Sequence, residues 1–147
     1  VHCCGPGRGS SPAFVAANPG LEQGLVRAHY SAASLVREAA TLDTASDRTS
    51  IVSGGQEDVQ SMGTIATGHL ATAVEKVRAA VAVELLAAVE VRRIADVSLP
   101  PRADAIVDGL ADRIDEEETT RRIDATATLV ADGTVSSLAR DEGLDIP

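Results

Sequence analysis

Large rings are almost absent from this chain of 147 residues: Phe14 and Tyr30 stand alone, and there is no tryptophan. Aromatic side chains normally carry much of a core's buried area, so packing here must rest on Ala, Val, Leu and Ile. Small residues of that kind suit close helix-to-helix contact better than an isolated globule. Cysteine is nearly as scarce, with only Cys3 and Cys4, adjacent in the chain. Vicinal cysteines pair poorly with each other, which excludes a secreted disulfide framework. Together with His2 they form the one metal-like cluster, but no later Cys pair completes a zinc set. No metal site is expected, and the cluster reads as a frayed terminus with reactive thiols.

Positive charge is also in deficit. Thirteen Lys and Arg stand against 22 Asp and Glu, giving a net charge of −9, and phosphate backbones would be repelled, which excludes nucleic acid as a partner. A membrane-spanning run is missing too, because Glu75, Lys76, Arg78 and Glu84 interrupt the most apolar stretch. No charged-apolar-small leader opens the chain, and its first residue is valine rather than methionine, which fits a fragment. The expectation is a soluble, cytoplasmic protein that does not touch a membrane.

What the chain does contain is helical periodicity. Residues 1–12 are rich in Gly, Pro and Ser and read as an irregular segment; residues 13–140 form a helical region and residues 141–147 a tail. Pro19 disfavours helix at Asn18, after which Leu21, Leu25, Ala28, Ala32, Leu35 and Ala39 line one face of a helix predicted over 21–40. Residues 43–55 are polar and end in glycines, hence a loop. A long helix is predicted from Val59 to Ala95, about 55 Å at ~1.5 Å per residue, ahead of the break at Leu99-Pro100-Pro101. Its apolar face runs through Met62, Ala66, Leu70, Ala73, Val77, Val81, Leu85 and Ala88. A helix that long must be covered by neighbours, and this chain has few to offer, so partners from other chains or from another segment are implied. Residues 101–115 give a shorter helix with Ile106, Val107, Leu110 and Ile114 inward. The acidic run Asp115-Glu116-Glu117-Glu118 reads as a solvated turn, and residues 119–131 as another amphipathic helix closed by Gly133. Val135 to Arg140 adds a last turn. No strand is expected: the fold class is all-α, a long-helix bundle.

The chain is organised around Ser53-Gly54-Gly55-Gln56-Glu57-Asp58. Two glycines permit a tight entry turn, and two acids follow where the first turn of the long helix would begin. Read from these residues alone, Glu57 and Asp58 match the positive end of the helix dipole or form a polar site. His29 and His69 lie within helical stretches without a second ligand at metal spacing, so both read as ordinary helix histidines. Nothing around Tyr30 supports a catalytic base.

The stretch Gly55-Gln56-Glu57-Asp58-Val59-Gln60-Ser61-Met62-Gly63-Thr64, followed by Ala82-Val83-Glu84-Leu85-Leu86-Ala87-Ala88, resembles the C-terminal half of the aromatic amino acid ammonia-lyases. Within them it is most similar to the histidine ammonia-lyases. Asn18-Pro19-Gly20-Leu21, with Gly24, Tyr30, Ala32 and Ala33, resembles the segment that precedes this motif in the family, with a one-residue deletion between Leu42 and Ser50. Coverage runs roughly from Pro12 to Gly133. The resemblance implies non-oxidative loss of ammonia from an aromatic amino acid, L-histidine giving urocanate, with Glu57 and Gln56 at the substrate and Asp58 structural. Phenylalanine and tyrosine lyases tend to carry Gln at the Glu57 position. A carboxylate can pair with an imidazole, whereas a neutral amide suits a phenyl ring.

The resemblance also implies a methylidene-imidazolone prosthetic group made from an internal Ala-Ser-Gly, and no Ala-Ser-Gly occurs here. The electrophile and the catalytic base would lie in an N-terminal portion, so the chain alone is expected to be inactive. Family members are tetramers with a core of long helices, which implies a homo-oligomer as well as a small-molecule amino acid substrate. Two further departures are Val26, where histidine lyases tend to carry Met, and His29, where Gln is common. A tyrosine or phenylalanine lyase, an aminomutase, or a non-catalytic acidic helical assembly module remain as alternatives.

Overall fold

The computed structural model describes residues 12–47, 51, 53–56, 61–95, 97–114 and 117–146. Among them are five α-helices: α1 Val26–Ala40, α2 Gly63–Ile94, α3 Pro101–Ala111, α4 Thr119–Ala131 and α5 Thr134–Asp141. Short 3-10 turns lie at Ala13–Val15, Ala45–Asp47 and Ser53–Gly55. No strand occurs among the described residues beyond an isolated bridge between Pro19 and Glu22. The all-α, long-helix architecture is the one the periodicity predicts.

The helix α2 is the hub. It packs against α1 and α4 and, less extensively, α3, while α5 closes on α3 and α4. Glu38, near the end of α1, pairs with Lys76, and the start of α1 lies near Glu90 and Ile94, so α1 runs antiparallel to α2. The core is built around the second half of α2, where Leu86 and Val89 are at most 1% exposed and meet Leu110 and Ile114, Ala28 and Ala32. Burial of each Leu or Ile side chain contributes about 1.5–3 kcal/mol. At the end of α2, Arg92 and Arg93 answer the negative pole of its dipole. Arg92 Nε also donates to Asp104 Oδ1 at 2.8 Å, in the first turn of α3. Pro101 opens α3 at a position where its missing N–H costs nothing.

Four expectations are corrected. The first helix begins at Val26, not Leu21, because residues 18–25 form turns. Leu25 N–H donates to Phe14 O at 2.9 Å, and Gly24 (φ 50°) comes so close to Phe14 that an added Cβ would lie 2.3 Å from its carbonyl oxygen. Leu21, expected inward, is 91% exposed. The long helix begins at Gly63, since Met62 before it adopts a left-handed φ of 45°, and the predicted start at Val59 lies outside the described residues; its 32 residues give about 48 Å. The third correction concerns its inward face. The predicted apolar stripe is left largely uncovered, with Leu70, Val77 and Val81 all exposed, whereas Ala80, Val83, Leu86 and Ala87 turn inward. Leu70 is bare because α1 ends beside Lys76, and Val77 and Val81 because the helices that pack on α2 beyond that point take the neighbouring face of Ala80, Val83, Leu86 and Ala87. Finally, α3 ends at Ala111, although Ile114 beyond it is buried as expected and Ile106 packs partly buried on the core. α4 spans its predicted residues, with Gly133 at φ 84° beyond its end.

Gly20→Ala and Gly24→Ala make a matched pair. Both glycines have positive φ, but only Gly24 is crowded; nothing lies within 4 Å of a Cβ at Gly20. Gly20→Ala is expected to cost about 1 kcal/mol of backbone strain, and Gly24→Ala several times more, read as the loss in chemical-denaturation midpoint. Equal losses would show that the approach of residue 24 to Phe14 does not anchor the turn.

Candidate functional site

The loop between α1 and α2 carries Gln56, and its first residues are tied down by two contacts. Thr41 Oγ1 donates to Glu38 O at 2.7 Å where α1 ends. His69 Nδ1 lies 2.9 Å from Asp43 O and so fastens the loop to the second turn of α2. The imidazole is thus used structurally, as an ordinary helix histidine. The ion pair of Glu38 with Lys76 joins the two helices beside this loop. Its hydrogen bond from Lys76, then the Lys76 charge, hold the Glu38 carboxyl below its ordinary range.

Beyond the gap, Ser53 (φ 54°), Gly54 (φ 66°) and Gly55 (φ 89°) form three consecutive left-handed residues. Two of the three are glycines, for which that conformation is cheap. Gln56 follows in an exposed turn, its N–H donating to Ser53 O at 3.4 Å. Glu57 and Asp58 lie outside the described residues, as do His2, Cys3 and Cys4. The first turn of α2 itself carries no acidic residue and its N-cap is Met62. On α1, Val26 and His29 are half-buried and Tyr30 is 72% exposed. The rings of His29 and Tyr30 stack at 6.3 Å between centroids and 28° between planes. Among the described residues no hydrogen bond joins Gln56 to Val26, His29 or Tyr30, and no group of three His, Cys, Asp or Glu could hold a metal. No helix among them is long and apolar enough to cross a membrane.

A second polar centre escaped the sequence reading. Arg122 of α4 is 8% exposed and pairs with Glu90 of α2, which also lies 3.6 Å from Arg93 Nη1. Arg122 Nε is buried and has no hydrogen-bond partner among the described residues. The pair borders a cavity of about 210 Å³. The signal was present in the sequence: Glu90 continues the stripe Val83-Leu86-Ala87, and Arg122 with Thr126 continues the inward stripe of α4, so opposite charges interrupt two facing apolar surfaces.

An all-α scaffold with one long central helix, and a glycine-bent acidic loop leading into it, defines the class. The sequence profile of the aromatic amino acid lyases matches residues 5–112. The chain belongs to that family, whose members are carbon–nitrogen lyases. It is similar to the histidine ammonia-lyase of Macrococcus caseolyticus, 47% identical over 77 residues, 52% of this chain and 15% of that protein. The histidine ammonia-lyase of Bacillus cytotoxicus is 42% identical over 76 residues, covering 51% of this chain and again 15% of that protein. The chain matches the crystal structure of histidine ammonia-lyase from Trypanosoma cruzi with a TM-score of 0.84 at 25% identity, over 95% of this chain and 29% of that one. It therefore spans a small part of the length of the relatives it matches.

Replacing Lys76 with Met should return the Glu38 carboxyl toward its ordinary value of 4.5, seen by NMR titration of its side-chain carbon. Because the folded pKa is lowered, the pair's contribution is present above the unfolded pKa and is lost as pH falls through the folded one. Wild type and Lys76→Met should therefore differ in melting temperature at neutral pH and converge well below the carboxylate range. A difference that persists in acid would mean that Lys76 acts by packing.

Proposed function

We propose that the chain forms one wall of the substrate pocket of a cytoplasmic, homo-oligomeric ammonia-lyase, with L-histidine as substrate and urocanate as product. The observation that carries this reading is the family match over residues 5–112, which includes the Gly55–Thr64 motif. The likeness of the fold to a histidine ammonia-lyase supports it. Glu57 supplies a carboxylate that pairs with, or accepts a hydrogen bond from, the substrate imidazole. Gln56, exposed beside it, supplies a second polar contact. Val26 and His29 depart from the histidine-lyase pattern, and on their account a tyrosine or phenylalanine lyase or aminomutase is the second reading.

The family's methylidene-imidazolone group forms from Ala-Ser-Gly, and none occurs in the 147 residues, so the residues present do not fit the making of that group. The part assigned to this chain is accordingly to bind and orient substrate, and on its own it should release no ammonia from histidine, phenylalanine or tyrosine. In a parent enzyme containing this chain, Glu57→Gln should lower kcat/KM for histidine roughly ten- to a hundredfold, the worth of a charge-assisted hydrogen bond. Activity on phenylalanine should fall less, while Asp58→Asn should leave the ratio of the two substrates unchanged. If Glu57→Gln leaves that ratio unchanged as well, the substrate role is wrong.

The uncovered stripe of Leu70, Val74, Val77 and Val81 on α2 supports the oligomer, because contiguous apolar surface of this kind marks a protein contact. Sedimentation of the chain at micromolar concentration should show self-association that Val77→Glu abolishes without loss of helicity. A compact, stable wild-type monomer would remove the assembly from the proposal and leave the pocket reading to the kinetic test.

A further inference from the structure

The chain between α1 and α2 leaves the scaffold and returns to it within a short length of one helix. Glu38, in the last turn of α1, meets Lys76 on α2. Two turns nearer the start of α2, His69 Nδ1 lies 2.9 Å from Asp43 O. The turn Ala45–Asp47 also packs on α2. The chain then passes through residues 53–56 and enters the same helix at Gly63. Gly63 stands six residues before His69, about 9 Å along the axis at ~1.5 Å per residue. Residues 44–62 are therefore an excursion whose two feet stand within two turns of each other. One foot is the covalent start of α2, and the other is the contact of His69 with Asp43.

That contact has one chemical direction. A carbonyl oxygen only accepts, so Nδ1 carries the hydrogen and, in the neutral ring, Nε2 does not. The bond joins residues 26 apart in sequence. Without it the excursion would hang from the end of α1 with many arrangements open to it. With it, part of that freedom is removed before anything binds.

We propose that His69 is a positioning residue for the loop that carries Gln56: its Nδ1–H, donated to Asp43 O, holds the loop closed on α2 so that Gln56 is in place before substrate arrives. The inference rests on the reading of this loop as part of a substrate pocket. A loop that is ordered only part of the time weakens apparent affinity by that fraction and leaves the bound state unchanged. Loss of the His69 contact therefore shows in KM rather than in kcat.

The first test uses the full chain, nitrogen-15 labelled, without substrate. At alkaline pH, where imidazole is neutral, long-range proton–nitrogen correlation should place the His69 hydrogen on Nδ1. Backbone relaxation should show residues 45–47 and 53–56 ordered in wild type. In His69→Phe their order parameters should fall below about 0.6, while Leu86 and Val89 keep theirs. His69→Asn, whose Nδ2–H stands where Nδ1–H stood, should restore the order. The Nε2–H tautomer, or order at residues 53–56 that survives His69→Phe, would overturn the proposal. So would a loss of order extending to Leu86 and Val89, which would make His69 a residue of the core fold.

The second test uses a parent enzyme containing this chain. His69→Phe should raise KM for histidine roughly two- to tenfold, the worth of one hydrogen bond, with kcat changed by less than about twofold. His69→Asn should return KM toward wild type. An unchanged KM, a fall confined to kcat, or no rescue by Asn would refute the positioning role. The pocket reading is judged apart from this by Glu57→Gln. If that variant leaves the substrate ratio unchanged, the pocket falls, and the relaxation data still decide whether His69 orders the loop.

Discussion

Burial of the second half of α2 is the constraint on which the rest of the structure depends. Leu86 and Val89 are closed off by α1, α3 and α4 together, and each of those helices is too short to hold its shape alone in water. With almost no aromatic area to bury, the chain compensates with close approach: Ala28, Ala32, Ala80, Ala82 and Ala87 are all buried. Small residues bring helix axes together, and what they lose in apolar area they recover in contact density.

The first half of α2 belongs to a different regime. It is helical and apolar on one side, but α1 covers it only as far as Lys76, and beyond that the loop reaches it through His69. A stripe such as Leu70, Val74 and Val77 costs free energy while it faces water. The stretch of this chain that aligns with its bacterial relatives covers 15% of their length, and surface from outside these residues would remove that cost by covering the stripe. The same division holds for the loop that carries Gln56, which starts from the covered part of the scaffold and leads to the uncovered part.

The buried pair of Glu90 and Arg122 fixes how α4 sits on α2. Ion pairs of this kind add little net stability, because desolvation offsets most of the attraction. They penalise every alternative register heavily, however, since a slip would leave a charge alone in an apolar groove. Apolar stripes built of Ala, Val and Leu are nearly interchangeable along their length, so a single charged pair supplies the discrimination that shape alone would not.

Helical periodicity determined the fold class, the extent of α4, the inward residues Val107, Leu110 and Ile114, and the breaks at Pro100-Pro101 and Gly133, because these depend on local spacing and on residues with restricted or unusual φ. The motif from Gly55 to Thr64 determined the family, since an ordered run of residue types survives where packing details do not. Only the tertiary structure decided where α1 and α2 begin. The close approach of Gly24 to Phe14 and the left-handed Met62 are set by distant or neighbouring backbone, not by propensity. Only the tertiary structure decided which stripe of α2 faces inward, because an Ala- and Val-rich helix offers several apolar faces and the choice belongs to the helices that cover it. And only the tertiary structure brought Glu90 to Arg122, 32 residues apart in sequence, for the reason that a charge on an inward stripe has meaning only once the opposite wall is known.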